Sequence, residues 1–124
     1  AVWPRAKALL GPALRRASGR YGIDDVREWF ATGKATLWIA FDEEIHGAAA
    51  IVITDYARRR MARFEVLGGR RLAEWKGQML DAVERYACDM GCDGIEAGGR
   101  RGWGRIGVPH GFKVTAVMIE KDLR

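Results

Sequence analysis

The amino-acid sequence predicts a mixed α/β fold, an antiparallel meander of three strands followed by a β–α–β crossover. Three observations predict it. Three β-prone runs, 35–41, 45–54 and 61–67, are separated only by short polar turns. Directly after the third, Leu72, Trp75, Met79, Val83, Tyr86 and Met90 step by three or four residues, the spacing of one buried helical stripe. A further short run, 94–97, follows that helix, and a strand–helix–strand unit in one sheet makes its two strands parallel. The chain has 124 residues, 48% hydrophobic and 30% charged, which suits one domain, 1–124, with a real core.

In chain order, residues 2–18 suggest a helix with Trp3, Ala6, Leu9, Leu10, Ala13 and Leu14 on one side. Pro4 fits its first turn, and Pro12 is expected to bend or split it. After breaks at Ser18-Gly19 and Tyr21-Gly22, a second helix is expected over 25–32. Asp25 and Glu28 have capping-box spacing, Val26, Trp29 and Phe30 form the buried side, and Gly33 is the stop. Run 35–41 is apolar at nearly every position and should be covered on both faces. Asp42-Glu43-Glu44 is a turn into the next strand. There the small side chains of Gly47-Ala48-Ala49-Ala50 indicate a closely packed neighbour. The third strand should place Phe64 and Val66 on one face and Arg63 and Glu65 on the other. Gly91 sits where a helix C-cap glycine belongs. A glycine- and arginine-rich link, 98–105, a short helix from Trp103 to Val108 and a last strand from Phe112 to Lys121 complete the order.

Net charge is +5 and the isoelectric point about 9.6. Sixteen of the 21 cations are arginine. That favours an acidic partner, whether nucleic acid, a phosphorylated cofactor or an acidic protein, although an arginine-rich composition alone accounts for it equally. Cys88 and Cys92 are the only cysteines, and with His46 and His110 they do not make a four-ligand zinc site, so no metal is expected. Reduced thiols suit a cytoplasmic protein. The most apolar segment, 47–54, is too short to span a membrane, and Pro4 and Pro12 interrupt any secretory signal.

The chemistry-bearing stretch is the turn before the long helix. Backbone N–H groups, the positive end of the helix dipole and two guanidinium groups meet at Gly68, Gly69, Arg70 and Arg71, a pattern suited to an anion. Glu65, the one carboxylate in the third strand, is a candidate general base for an amine, with an ion pair to Arg63 as the competing reading. Arg58, Arg59, Arg60 and Arg63 form a basic cluster that reads as a solvated turn or as a contact with an acidic substrate, DNA or a partner; Arg58–Arg60 are expected to be exposed and dispensable for folding. Arg100, Arg101 and Arg105 with Trp103 read as a stacking platform or as a core tryptophan among solvated arginines. His46 reads as an exposed hairpin residue.

The runs G-K-A-T-L-W-I-A-F, I-H-G-A-A-A-I-V-I, F-E-V-L-G-G, A-E-W, Y-A-C-D-M-G-C, G-R-R-G-W-G-R and H-G-F, in this order and spacing from about Ile23 onward, resemble the GNAT acyl-CoA N-acyltransferase superfamily. The likeness is to its short members encoded by tailed phages and prophages. The resemblance implies a truncated GNAT-like fold in which the third strand splays from its parallel neighbour. It further implies that Phe64, Val66 and Leu67 contact the pantetheine arm of acetyl-CoA, and that Gly68, Gly69, Arg70, Arg71, Leu72 and Ala73 hold its pyrophosphate. The superfamily's Q/R-x-x-G-x-G/A pattern is not matched by 67–73, where the glycines precede the arginines. The general-acid tyrosine of many members, five residues before the G-F phenylalanine, is Gly107 here. His110 is the candidate to replace it, with a surface-turn histidine as the competing reading.

Two functional expectations follow. The first is an acetyl-CoA-dependent N-acetyltransferase for an amine of unspecified identity, with Glu65 and His110 as its catalytic pair. The second is a non-catalytic GNAT-like structural or interaction protein, a component of a phage or prophage particle or of a homo-oligomer. Nucleic-acid binding is a weaker third reading.

Overall fold

The structure, a computed structural model, describes residues 2–15, 19–98 and 107–124. Arg100, Arg101, Trp103 and Arg105, and the Trp103–Ile106 part of the expected short helix, lie outside the described residues. Strands β1 (Thr36–Phe41), β2 (Ile45–Asp55), β3 (Arg60–Gly69) and β4 (Gly94–Ala97) form one sheet in that spatial order. β1–β2 and β2–β3 are antiparallel, and β3–β4 is parallel, with Met61 opposite Gly94 and Phe64 opposite Ala97. This is the expected meander and crossover.

Helices α1 (Trp3–Leu14) and α2 (Ile23–Thr32) cover one face of the sheet, and α3 (Leu72–Asp89) covers the other. On the α3 face, Trp75, Met79, Val83 and Ala87 pack on Ala49, Ile51, Ala62 and Phe64. On the opposite face, Ala6, Leu10 and Leu14 of α1 and Val26 of α2 pack on Ala48, Ala50 and Val66. β1 serves both cores, with Trp38 and Ala40 toward α3 and Leu37 and Ile39 toward the other helices, as its unbroken apolar run required.

The structure corrects the expected phase of β3. Ala50 pairs with Val66 and Ile51 with Phe64, so Glu65 is an extra residue on β3, a β-bulge. Period-2 alternation breaks there. Phe64 faces α3 and Val66 faces α1, although the sequence placed them on one face. Arg63 and Glu65 do share a face, and Val66 joins them on it.

The small residues of β2 answer close neighbours. Ala48 and Ala50 are fully buried under α1. A Cβ at Gly47 would fall inside the indole of Trp75, and one at Gly68 would collide with the Leu9 carbonyl of α1. Gly69 has a φ of +155°, and its built Cβ would meet His46 O at 2.5 Å and Gly47 Cα at 2.7 Å. These contacts assign the glycines of the anion-like turn a packing reason that the sequence did not reveal.

Helix ends follow local rules with two corrections. α1 runs through Pro12 without splitting. The proline sits in the last turn, where one missing N–H is a small loss and Leu10 and Leu14 on either side are buried. α2 starts earlier than expected: Gly22 is its N-cap, and Asp25, three residues in, accepts the Gly22 N–H at 2.8 Å. Gly33 ends it with a φ of +79°. At the end of α3, Gly91 N–H bonds Cys88 O at 3.0 Å and Cys92 N–H bonds Ala87 O at 2.8 Å, a Schellman closure with Gly91 at a φ of +72°. Met90, expected to end the buried stripe, is the cap residue and is exposed.

The expected last strand does not form. Residues 112–124 have no regular structure, and Val114, Val117, Met118 and Ile119 are exposed. Side-chain alternation in 112–121 is a local property, whereas a strand needs a partner ladder, and among the described residues β4, four residues long, pairs only with β3. The segment instead touches the α1–α2 loop, where Arg20 Nη2 lies 2.8 Å from Glu120 Oε1 and 3.2 Å from Met118 Sδ.

Candidate functional site

Among the described residues, pairing between β3 and β4 stops at Phe64–Ala97, but β3 continues to Gly69. Among the described residues, no strand covers the outer edge of 65–69. This open edge begins at the bulge and leads into the turn that starts α3.

That turn is braced on three sides. Arg70 N–H bonds His46 O at 2.8 Å, and the Trp75 indole N–H bonds Arg70 O at 2.6 Å. Arg71, the N-cap of α3, has left-handed backbone angles (φ 55°, ψ 41°) and its carbonyl accepts the Glu74 N–H at 2.9 Å. Among the described residues, the N–H groups of Arg71, Leu72 and Ala73 find no acceptor in the chain. They are the orphan donors of a helix start, at the positive end of its dipole. Arg70 and Arg71 are exposed beside them. Glu74 in the first turn lies 3.9 Å from the Arg71 guanidinium and competes for it. Three open donors with two arginines fit a diphosphate; the Arg70 N–H, already used, does not contribute.

On the α1–α2 face of the same edge lies a polar network. Arg63 donates through Nε to Glu65 Oε1 at 3.0 Å and through Nη1 to Glu96 Oε2 at 2.7 Å. The Tyr56 hydroxyl donates to the same Glu96 oxygen at 2.7 Å. From the α1–α2 loop, the Tyr21 hydroxyl donates to the main-chain carbonyl of Glu65 at 2.9 Å and reaches its carboxylate at 3.3 Å. The side chains of Arg63, Glu65 and Glu96 are only 22–26% exposed, so these ion pairs are screened far less than surface pairs. Burial works against the charge on Arg63, but the Glu96 hydrogen bond and both carboxylates outweigh it and hold the guanidinium above its usual range. Burial first, and then the Glu65 charge, push the Tyr21 phenol up to about 12, with Arg63 and Arg20 opposing. Tyr21 therefore stays a protonated donor at ordinary pH.

Of the residues singled out from the sequence, Glu65 sits at the bulge in the ion pair with Arg63 that was its competing reading. Phe64 and Val66 bury their side chains in opposite cores, and Leu67 packs toward α3, so what this stretch offers a ligand is main chain. His110 ends the short 3-10 turn Val108–His110, exposed and against Gly77 of α3; its Cε1 is 3.8 Å from a Cβ built there. Glu65 lies on the opposite face of the sheet, and the structure does not bring the two together. At the missing-tyrosine position, a Cβ on Gly107 would lie 2.9 Å from Phe112 Cβ, so no larger side chain fits there as the segment now packs. Arg58 and Arg59 are exposed, as expected of a basic turn. Arg60 instead opens β3, its main chain bonded to Asp93 through N–H to Oδ2 at 2.9 Å and through its carbonyl to Asp93 N–H at 2.7 Å. His46, expected to be an exposed hairpin residue, is instead largely covered, its ring held to Asp42 at 2.9 Å and its carbonyl to the Arg70 N–H. Cys88 and Cys92 are free thiols, and burial pushes the Cys92 thiol up. Among the described residues, no group of three or more His, Cys, Asp or Glu could hold a metal, and no helix is long and apolar enough to cross a membrane.

Sequence reasoning missed Tyr21, Tyr56 and Glu96. In the sequence Tyr21 reads only as part of a chain break. A polar ring tip two residues before a helix was the one available signal, and it names no partner.

No family model matches the sequence, and no curated protein matches it. Solved structures do resemble it. A putative acetyl transferase from Pyrococcus furiosus superposes with a TM-score of 0.70 at 19% identity, covering 98% of this chain and 93% of that one. A predicted acetyltransferase with acetyl-CoA from Clostridium acetobutylicum gives 0.65 at 19% identity, covering 81% and 71%. The aminoglycoside N-acetyltransferase AAC(6')-Iy in complex with CoA gives 0.64 at 20% identity, covering 82% and 75%. The chain has the fold of the GNAT acetyltransferases that its sequence resembles.

Proposed function

We propose that this chain is a GNAT-like acetyltransferase that takes its acetyl group from acetyl-CoA and passes it to an amine. The observation that carries this reading is the continuous path, among the described residues, from the unpaired edge of 65–69, through the braced turn, to three open N–H donors at the start of α3. An amide-bearing arm can pair with the free edge as an added strand would. The donors of Arg71, Leu72 and Ala73, with the side chains of Arg70 and Arg71, receive the diphosphate.

Acetyl-CoA supplies an acetyl group activated as a thioester. The chain's own contribution is position and charge. Glu65 takes the proton as the amine nitrogen bonds to the thioester carbonyl carbon; the carbon–sulfur bond then breaks, and the departing CoA thiolate regains that proton from Glu65 through solvent, leaving the thiol and the carboxylate restored. Arg63 and Tyr21 keep the Glu65 carboxylate in place for that step. His110 stays outside this arrangement, on the α3 face.

Calorimetric titration with acetyl-CoA tests the reading. Binding between about micromolar and millimolar Kd is expected. The pair Arg70→Ala with Arg71→Ala should weaken it at least about tenfold, or roughly 1.4 kcal/mol. No heat and no thermal stabilisation at millimolar ligand would refute it.

A second reading is favoured by three observations: Glu74 beside the turn, the separation of Glu65 from His110, and the exposed apolar residues of 112–124. In it the same fold is a non-catalytic interaction domain, such as a phage or prophage particle component. A lack of acetyl-CoA binding together with stable association through 112–124 would favour it.

A further inference from the structure

The bulge at Glu65 creates two polar problems at one point. An extra residue takes its own carbonyl out of the β2–β3 ladder, and a buried carbonyl without a donor costs free energy. It also places a carboxylate at the margin of the apolar core that α1 and α2 pack on this face. One hydroxyl from the α1–α2 loop, 44 residues earlier, meets both with a shared proton: Tyr21 donates chiefly to the Glu65 carbonyl at 2.9 Å and reaches its carboxylate at 3.3 Å. The ring that carries this hydroxyl is fixed by an edge contact with Trp29 of α2, centroids 4.8 Å apart. Arg63 holds the other carboxylate oxygen. Two rigid groups thus set one carboxylate at the start of the open edge.

We propose that Tyr21 is a positioning residue for acyl transfer, acting through Glu65: its hydroxyl holds both the bulge and the carboxylate, and so fixes where the base meets the incoming amine. The inference rests on the acetyltransferase reading and adds to it a residue from the α1–α2 loop. The groups facing Tyr21 are Glu65 and Arg63 on β3 and Arg20 on its own loop. The phenol is a donor, not a proton carrier, because its own ionisation lies far above neutral pH.

The test compares Tyr21→Phe, Glu65→Gln and the double variant, since Phe keeps the ring contact with Trp29. Turnover is followed as loss of thioester from acetyl-CoA, with a panel of primary amines and with water as acceptors. Tyr21→Phe should lower kcat at least about tenfold while the calorimetric Kd for acetyl-CoA changes less than about twofold, and the double variant should be no slower than Glu65→Gln alone. A readout independent of turnover is the titration of carbon-labelled tyrosine by NMR. Glu65→Gln should bring the Tyr21 phenol down from about 12, though burial keeps it above an ordinary tyrosine. An unchanged kcat in Tyr21→Phe, multiplying losses in the double variant, or a Tyr21 titration indifferent to Glu65→Gln would overturn the proposal. So would a parent protein that binds acetyl-CoA and transfers its acetyl group to nothing. A parent that does not bind acetyl-CoA at all would instead overturn the acetyltransferase reading itself.

Discussion

The two faces of the sheet are built by different means. The α3 face is a single apolar interlock: one helix of 18 residues lays Trp75, Met79, Val83 and Ala87 across three strands. The α1–α2 face is assembled from two shorter helices, a stripe of fully buried alanines and a polar network at the sheet's open edge. The first face is the regular apolar one, and the proposed chemistry lies on the second. A face filled by one regular stripe leaves no room for charge. A face interrupted by a bulge can carry an arginine, two glutamates and two tyrosines, provided each finds a partner.

The largest expected effect tests the first half of that contrast. Trp75→Ala should cost about 3–5 kcal/mol in denaturant melts. The indole fills the space over Gly47 and holds the Arg70 carbonyl, so the turn should loosen together with the core. A loss below about 1 kcal/mol would mean the α3 face is not the stability centre.

Next, Gly68→Ala should destabilise by about 1–3 kcal/mol, because the Leu9 carbonyl of α1 occupies the space a methyl group needs. Were the glycine there only for a ligand, the melt would be unchanged and acetyl-CoA binding alone would suffer.

Tyr21→Phe should cost less, about 1 kcal/mol, since it removes the donor to a part-buried carbonyl without removing apolar area. Its sharper signature is the pH dependence. The folded-state phenol ionises near 12 against about 10 for an ordinary tyrosine, so the folded state holds this proton longer. That contribution to stability is fully present below pH about 10 and is lost as pH rises toward about 12. Melts across this window should show a fall that is smaller in Tyr21→Phe.

The smallest effect is expected at the basic turn. Arg58→Ser with Arg59→Ser should change stability by no more than about 0.5 kcal/mol, both side chains being exposed. If the pair also weakened nucleic-acid binding and flattened its salt dependence, the third sequence-based reading would return. At the site, His110→Ala should leave acetyl transfer within about twofold of the parent while Glu65→Gln removes most of it, reflecting their positions on opposite faces.

Element order was legible because each signal is local. The stripe 72–90 announced α3 and Gly91 its end. The β-prone runs between short polar turns announced three strands, and the strand–helix–strand order announced the parallel pair. The small residues of β2 announced a close neighbour, although not that Trp75 and α1 supply it. The candidate site was legible only in part. Glu65 and the 68–71 turn stood out by residue type, whereas Tyr21 and Glu96 reach the network from 44 and 33 residues away in sequence.

By itself, then, the sequence determined the helices, the strands, their turns and the direction of the crossover, because periodicity and capping act over four or five neighbouring residues. Only the tertiary structure decided the rest. A single extra residue at Glu65 turned Phe64 and Val66 to opposite faces, a shift that depends on pairing with β2 and leaves no mark on β3 alone. The strand pattern of 112–121 gained no ladder, because hydrogen bonds require a partner edge and alternation does not supply one. And the glycines at 68 and 69, which read as an invitation to a phosphate, are required by Leu9, His46 and Trp75, atoms that only folding brings within reach.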